Sequence, residues 1–291
     1  MTETESQPTG FWNRAATWKA FAVIAGYLVV YSVISTVVAL VFADQIDDHD
    51  PVAGASSIAF ALVLPIGLGA LALLFFTWRL GWLGRIFGRQ PVAGRGWMWI
   101  APVLVAIVII GHVGAVDGDD WTGGEIAALA LLGVCIGVAE ELATRGLAVR
   151  MLREAGHSER FVAVVSSLLF ALMHLVNLIA GMELKTVLVT VVYTFCFGMC
   201  MYLSMRVTGT IWAAIVLHGF TDPTTILATG GVDEAVGTQN HSGWFALASA
   251  GTIVFMIFAV VAVFLVRGRQ SDRHGAAPAR RNEPGLREGT A

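Results

Sequence analysis

Charged residues are scarce in this chain. Lys, Arg, Asp and Glu make up 13% of its 291 residues and hydrophobic residues 56%, against roughly 25% charged in an average soluble domain. This composition excludes an ordinary soluble protein and indicates an integral membrane protein. We therefore expect the lipid bilayer, and no nucleic acid, as its surroundings.

Cysteine is also rare, and the first residues do not have the pattern expected of a cleavable leader. The three cysteines, Cys135, Cys196 and Cys200, fall within apolar runs and lack the flanking pattern of a structural zinc site. We expect them to be small buried residues. The first twenty residues have no short apolar region that ends in a cleavage site, so the first apolar segment should remain as an anchor. No repeat of 20 to 50 residues is present, which favours one membrane domain.

Long apolar runs are what the chain has in abundance. A bilayer is crossed by about 20 apolar residues in a helix. Such runs occur near 20–42, 56–78, 98–116, 125–149, 161–180, 184–205, 208–229 and 244–266. The sequence predicts an all-α fold, a polytopic transmembrane helical bundle of about eight spans. It divides into an N-terminal segment 1–19, a transmembrane domain 20–267 and a disordered basic tail 268–291.

The connections between these runs alternate in charge. Cytoplasmic loops collect Lys and Arg. Arginines follow the second, fourth and sixth spans and the last one, for example Arg85, Arg150, Arg206 and Arg267. The pattern predicts a multi-pass protein of the cell membrane with both termini in the cytoplasm.

Two adjacent carboxylates interrupt the fourth apolar run. Glu140 and Glu141 lie about ten residues, or roughly 15 Å of helix, before the arginines at its end. A charged side chain at a helix centre in a bilayer costs about 2.5 to 3.5 kcal/mol, so such residues are functional candidates. Gly133 and Gly137, four residues apart just before them, would let a neighbouring helix approach closely.

Imidazoles and a further carboxylate lie at a similar depth in two other spans. His174 is thirteen residues into the fifth span, and His218 and Asp222 are ten and fourteen residues into the seventh. All three depths are measured from the same predicted face. The sequence therefore predicts a polar site shared by three helices. His112, near the outer end of the third span, is better explained as a hydrogen-bonded packing residue.

Helical spacing predicts how these residues pair. Residues four apart share a helix face, as do Phe170 with His174, His218 with Asp222, and Glu141 with Arg145. Adjacent residues point about 100° apart, so only one glutamate can face the reaction centre. Glu140 is favoured, since Glu141 has Arg145 one turn away.

Two histidines with carboxylates in a cavity of low polarity predict hydrolysis. They can bind a divalent metal, such as zinc, that lowers the pKa of bound water. Alternatively, a glutamate general base can activate the water directly. The residues alone leave both routes open.

At these positions the chain resembles the CPBP family of intramembrane proteases, which includes the CAAX prenyl endopeptidases and the Abi proteins linked to bacteriocin immunity. The family motifs are Glu-Glu-x-x-x-Arg, Phe-x-x-x-His and His-x-x-x-Asn or Asp, on separate helices. Here they read Glu140-Glu141-Leu-Ala-Thr-Arg145, Phe170-Ala-Leu-Met-His174 and His218-Gly-Phe-Thr-Asp222, within residues 139–222.

The resemblance implies an intramembrane metallo-endopeptidase that cuts a membrane-associated protein or peptide. One of Glu140 and Glu141, with His174, would prepare the water. His218 and Asp222 would complete a metal site with His174 or stabilise the oxyanion, and Arg145 and Phe170 would support the site or the substrate.

Two positions depart from the family pattern. Thr144 stands where many relatives have Phe, and Asp222 stands where prenyl endopeptidases have Asn. An ionised Asp cannot donate a hydrogen bond to an oxyanion. Asp222 therefore favours a role as a ligand or as the residue that orients His218.

Two other classes of function remain open. The chain could be a non-catalytic membrane partner, such as an immunity or sensor-binding protein. It could also be a proton-coupled transporter, since buried Glu and His residues relay protons.

Overall fold

A computed structural model describes residues 10–47, 49–179, 181–231 and 242–270. Regular structure in these ranges is helical, apart from an isolated bridge between Ser158 and Arg269. Two predicted segments are described only in part. Residues 1–9 of the N-terminal segment 1–19 and residues 271–291 of the tail 268–291 lie outside the described residues. The long helices are α1 Trp18–Val41, α2 Ala55–Arg79, α3 Gly96–Ala115, α4 Gly123–Glu154, α5 Glu159–Leu178, α6 Leu184–Thr208, α7 Trp212–Thr229 and α8 Gly243–Leu265.

These helices confirm the predicted all-α polytopic bundle. Seven of them, all except α7, are long and apolar enough to cross a membrane. Helix α7 has 18 residues and also contains His218, Asp222 and an internal proline, Pro223. These polar residues lower its hydropathy, so α7 depends on protein neighbours rather than lipid for much of its burial.

Local signals in the sequence set several helix ends. Thr122 and Glu125 form a reciprocal capping box at the start of α4. Ser158 and Ser242 cap α5 and α8 by accepting from backbone N–H groups. At the end of α6, Gly209 has φ 75°, a left-handed conformation that glycine adopts without steric cost.

Helix α4 differs from the regular helix that the apolar pattern predicts. It runs to Glu154 rather than 149, and Leu142–Ala148 form a π-helical segment within it. All seven residues of this segment are buried. A π segment inserts an extra residue into a turn and often lies at functional sites, and this one follows directly on the two glutamates.

Helix α7 packs closely against α4. A Cβ added to Gly133 would lie 2.0 Å from the carbonyl oxygen of Gly219, and one added to Gly137 would lie 2.5 Å from that of Ile215. This confirms the close approach that the glycine spacing predicted. It brings the middle of α7 against the end of α4 where the glutamates lie.

The arginine-bearing connections meet at one face of the bundle, here called the basic face. The amide of Gln90, after α2, donates to the carbonyl of Gly209, after α6, at 2.9 Å. The amide of Glu159 donates to the carbonyl of Gly268, after α8, also at 2.9 Å. Near the other end of the chain, Trp82 Nε1 donates to Asn13 at 3.0 Å. Both described ends of the bundle therefore lie at this face.

A buried ionic cluster joins the helices at the basic face. Arg153 forms two hydrogen bonds of 2.8 Å with the carboxylate of Glu159. Arg206 reaches the same carboxylate at 2.7 Å, and the hydroxyl of Tyr202 also donates to it. All four side chains are buried. One glutamate thus holds α4, α5 and α6 together.

Candidate active site

His218 and Glu141 form the buried centre of the polar site. The Nδ1 atom of His218 lies 2.8 Å from Oε1 of Glu141, which is fully buried. Arg145 Nη1 lies 3.2 Å from the same oxygen. The predicted pairing of Glu141 with Arg145 is therefore present, and the geometry adds His218 as a second partner.

Glu140 and Asp222 face the other nitrogen of His218. Its Nε2 atom lies 3.8 Å from Glu140 Oε2 and 3.6 Å from Asp222 Oδ2. The side chains of Glu140 and Asp222 are 19% and 37% exposed, whereas that of Glu141 is 0% exposed. The two adjacent glutamates thus lie on opposite sides of one imidazole, with Glu140 toward the open side.

His174 lies at the end of the regular part of α5. Its Nδ1 atom lies 3.1 Å from the carbonyl oxygen of Phe170. A carbonyl only accepts hydrogen bonds, so Nδ1 carries a proton in this contact. The Phe170 ring has centroid distances of 5.1 Å to His174 and 5.5 Å to His218. Both motif histidines therefore contact this one ring.

Arg145 is held on three sides. Its guanidinium lies over the Phe170 ring, 4.6 Å from the centroid, and its Nη1 donates to the Thr144 hydroxyl at 2.6 Å. On the third side, a Cβ added to Gly198 would come within 2.8 Å of Nη2. Arg145 is 1% exposed, so it is part of the buried site and not a basic residue at the surface.

The motifs did not reveal every residue of the site. The ring of Phe197, on α6, lies 5.0 Å from that of His218 and is buried. Thr144, seen in the sequence only as a departure from the family, is a hydrogen-bond partner of Arg145. An apolar residue such as Phe197 has no chemical signal among many apolar neighbours, so only the packing identifies it.

The structure thus brings Glu141, His218 and Arg145 into direct polar contact, with Glu140 and Asp222 at 3.8 and 3.6 Å from His218. Phe170 links His174 to this group. His112 lies elsewhere, 3.1 Å from the hydroxyl of Thr225 on α7. That contact fits the packing role expected from the sequence.

The predicted zinc site does not form from these side chains as they are placed. Among the described residues, no group of three or more His, Cys, Asp and Glu side chains has a geometry that could hold a metal ion. His218 Nδ1 is already engaged by Glu141. Zinc bound by His174, His218 and Asp222 stays a prediction.

The comparison with known proteins agrees with the motifs. Residues 122–224, from the cap of α4 into α7, match the family model described as Rce1-like, type II CAAX prenyl endopeptidase Rce1-like. No curated protein and no solved structure matches the chain. The matched stretch contains all three motifs and every polar residue of the site. Over this region the chain is similar to the Rce1-like family of type II CAAX prenyl endopeptidases.

Proposed function

We propose that this protein is an endopeptidase that hydrolyses a peptide bond of a membrane-associated protein or peptide, with Glu140 as the general base. The observation that carries this proposal is the arrangement around His218. Its Nδ1 atom contacts the buried Glu141. Its Nε2 atom faces the partly exposed Glu140 and Asp222 at 3.8 and 3.6 Å.

In this proposal, a water molecule lies between His218 Nε2 and the carboxylates of Glu140 and Asp222. Separations of 3.6 and 3.8 Å exceed direct hydrogen-bond distance, and polar groups at that range are commonly bridged by water. A water here would contact Glu140, whose carboxylate can accept its proton. Glu141 is a poorer base, because Arg145 and His218 already use its Oε1 atom.

The reaction then needs only groups of this chain. Glu140 takes a proton from the water while the water oxygen attacks the scissile carbonyl carbon. His218, protonated on both nitrogens, donates through Nδ1 to Glu141 and through Nε2 to the developing oxyanion. Glu140 passes its proton to the leaving nitrogen as the C–N bond breaks. The products are a carboxylic acid and an amine, and the base is regenerated.

His174 and Asp222 orient these partners. His174 contacts the same Phe170 ring as His218, and in this proposal it helps to position the attacking water. Asp222, four residues after His218, holds the imidazole from the open side. A carboxylate at this position stabilises a protonated His218 and does not itself donate to the oxyanion, which is consistent with the departure from Asn.

Two peptides test the proposal. Purified full-length protein in phospholipid nanodiscs is incubated with a fluorogenic peptide that ends in a farnesylated Cys-aliphatic-aliphatic-X sequence, and with the same peptide without farnesyl. We expect cleavage, located by mass spectrometry, and a loss of about 10²- to 10⁴-fold in rate for Glu140→Gln.

Glu125→Gln is the matched control for this experiment. It lies on the same helix, caps the exposed N-terminus, and can keep its bond to Thr122 as Gln. Its rate should equal that of the unmodified protein. An equal rate for Glu140→Gln would show that Glu140 is not the general base.

If neither peptide is cut, a second experiment compares the termini of membrane proteins between cells that contain the unmodified chain and cells that contain Glu140→Gln. Identical termini would favour a non-catalytic partner, and a proton flux lost in Glu140→Gln would favour a transporter.

Metal content is measured on the same preparations. If zinc takes part, the purified protein holds it in stoichiometric amount and the His174→Ala, His218→Ala variant does not. Activity that survives chelation in a metal-free preparation would support the direct glutamate route.

A further inference from the structure

A polar cavity lies at the basic face. It has a volume of about 300 Å³ and is enclosed by the connection after α2 and the last turns of α4. Five arginines and one acidic residue line it: Arg85, Arg89, Arg145, Arg150, Arg153 and Glu154. So many guanidinium groups around one cavity repel each other unless an anion is present.

The acidic residues nearby leave this charge only partly balanced. Arg150 pairs with Glu154 at 2.5 Å, and Arg153 shares Glu159 with Arg206. Arg85 and Arg89, both exposed at the cavity, form no ion pair with any described residue. The cavity thus has an excess of positive charge at its mouth.

Two of the arginines that line the cavity also carry buried nitrogen donors without partners among the described residues. Within the described part of the chain, Nε and Nη2 of Arg145 and Nε of Arg150 are buried and donate to no hydrogen-bond acceptor. The Arg150 guanidinium is held over the Trp82 ring, 4.5 Å from its centroid. Unsatisfied donors that belong to fixed guanidinium groups fit a ligand with several acceptor oxygens.

We propose that this arginine cavity binds a phosphate group. Phosphate has the charge and the acceptor oxygens that clustered arginines recognise. The cavity lies at the ends of α2 and α4, two helices that are long and apolar enough to cross a membrane. The phosphate therefore belongs either to the headgroup of an anionic phospholipid or to a free phosphate-bearing anion. Arg145 lines the cavity and also contacts Glu141, so an occupant would adjoin the polar site through one side chain. The proposal does not depend on peptidase activity.

Two binding measurements on full-length protein test the proposal. Delipidated protein in neutral detergent is titrated with inorganic phosphate against chloride at matched ionic strength, with thermal unfolding as the readout. Native mass spectrometry then compares lipid retained from nanodiscs of phosphatidylglycerol and of phosphatidylcholine. We expect the unmodified protein to be stabilised by phosphate, to retain phosphatidylglycerol selectively, or both.

The variant Arg85→Gln, Arg89→Gln should weaken this binding at least tenfold. Both side chains are exposed, so the variant should fold, and its unfolding temperature without ligand verifies this. Arg79→Gln is the matched control, because Arg79 is an exposed arginine near the same face but outside the cavity. A response to phosphatidylglycerol alone assigns a lipid headgroup, and a response to phosphate alone assigns a soluble anion. No response by the unmodified protein, or equal binding by the double variant and Arg79→Gln, would overturn the proposal.

Discussion

Glu140 and Glu141 are neighbours in the sequence but have different surroundings. Glu141 is buried between a guanidinium and an imidazole, whereas the side chain of Glu140 is partly exposed. Removing one partner of a buried ion pair leaves the other charge uncompensated, which costs about 3 to 5 kcal/mol. The two glutamates should therefore differ in their effects on stability.

We predict that Glu141→Gln lowers the thermal unfolding temperature strongly, whereas Glu140→Gln leaves it nearly unchanged. The reason is that Arg145 and His218 depend on Glu141 for their short contacts, while the nearest contact of Glu140 to His218 is 3.8 Å. Unfolding of both variants in the same detergent measures the difference. Equal unfolding temperatures would contradict the assignment of Glu141 as the structural carboxylate.

Thr144 is a second residue whose role can be tested. Its hydroxyl donates to the carbonyl of Glu140 and accepts from Arg145, both at 2.6 Å. Thr144→Val keeps the shape but removes the acceptor, so we predict a loss of about 1 to 3 kcal/mol. The control is Thr36→Val, because Thr36 lies on an exposed face of α1 and donates only to a backbone carbonyl. Similar small losses in both variants would show that Thr144 does not support Arg145.

At the scale of helices, the contact between α4 and α7 sets the geometry of the site. It places His218 against Glu141, residues 77 apart in the sequence. Because Gly133 has no side chain, the backbone of α7 can approach to a distance that no other residue allows. The position of His218 thus depends on a contact two helical turns away from the carboxylates.

We predict that Gly133→Ala separates the two helices and destabilises the protein by about 1 to 3 kcal/mol. The rate of peptide cleavage should also fall, because His218 would move away from Glu141. Gly26→Ala, in the middle of α1 with open space around it, is the matched control. Thermal unfolding and the peptide assay measure both effects. An unchanged unfolding temperature for Gly133→Ala would contradict the close packing of α4 and α7.

The ionic cluster at the basic face is the second contact between helices that can be tested. Glu159 is the shared partner of Arg153 and Arg206. Glu159→Gln would leave two buried arginines facing each other, so we predict a loss of about 3 to 5 kcal/mol in stability. Glu183→Gln, an exposed residue just before α6, should have no measurable effect. Thermal unfolding of the two variants measures this difference. Equal unfolding temperatures would contradict the role of Glu159 as the shared partner of the two arginines.

At the scale of the whole molecule, the basic face gathers the arginine connections and both described ends. The positive-inside pattern predicts that this face is cytoplasmic. A cysteine in place of Gly84, exposed at the basic face, should react with a membrane-impermeant maleimide only after the cells are opened. Asp119→Cys, exposed after α3, should react in intact cells. The three native cysteines lie within helices, two of them buried, and the unsubstituted chain gives the background. The reverse labelling pattern would invert the topology.

Much of the fold follows from the sequence because the bilayer constrains it. Apolar runs near 20 residues must form helices in lipid, so the predicted spans match the observed helices within a few residues. The shared depth of Glu140, His174 and His218 follows from simple counting along those helices. Their meeting in one site was therefore predictable before any contact was known.

The rest depends on rotations and contacts between helices, which counting along one helix does not give. The π segment 142–148, the place of Phe197 beside His218, and the sharing of Glu159 by two arginines have no signal in a local window of sequence. Each arises from residues far apart in the chain that pack against one another.

The sequence by itself determined a polytopic helical membrane protein with carboxylates and histidines at one depth. Only the tertiary structure decided that Glu141 is enclosed while Glu140 faces the opening, and that five arginines surround one cavity. The physical reason is that hydropathy fixes where a helix lies in the membrane. Its rotation and its distance from each neighbour are fixed by side-chain packing.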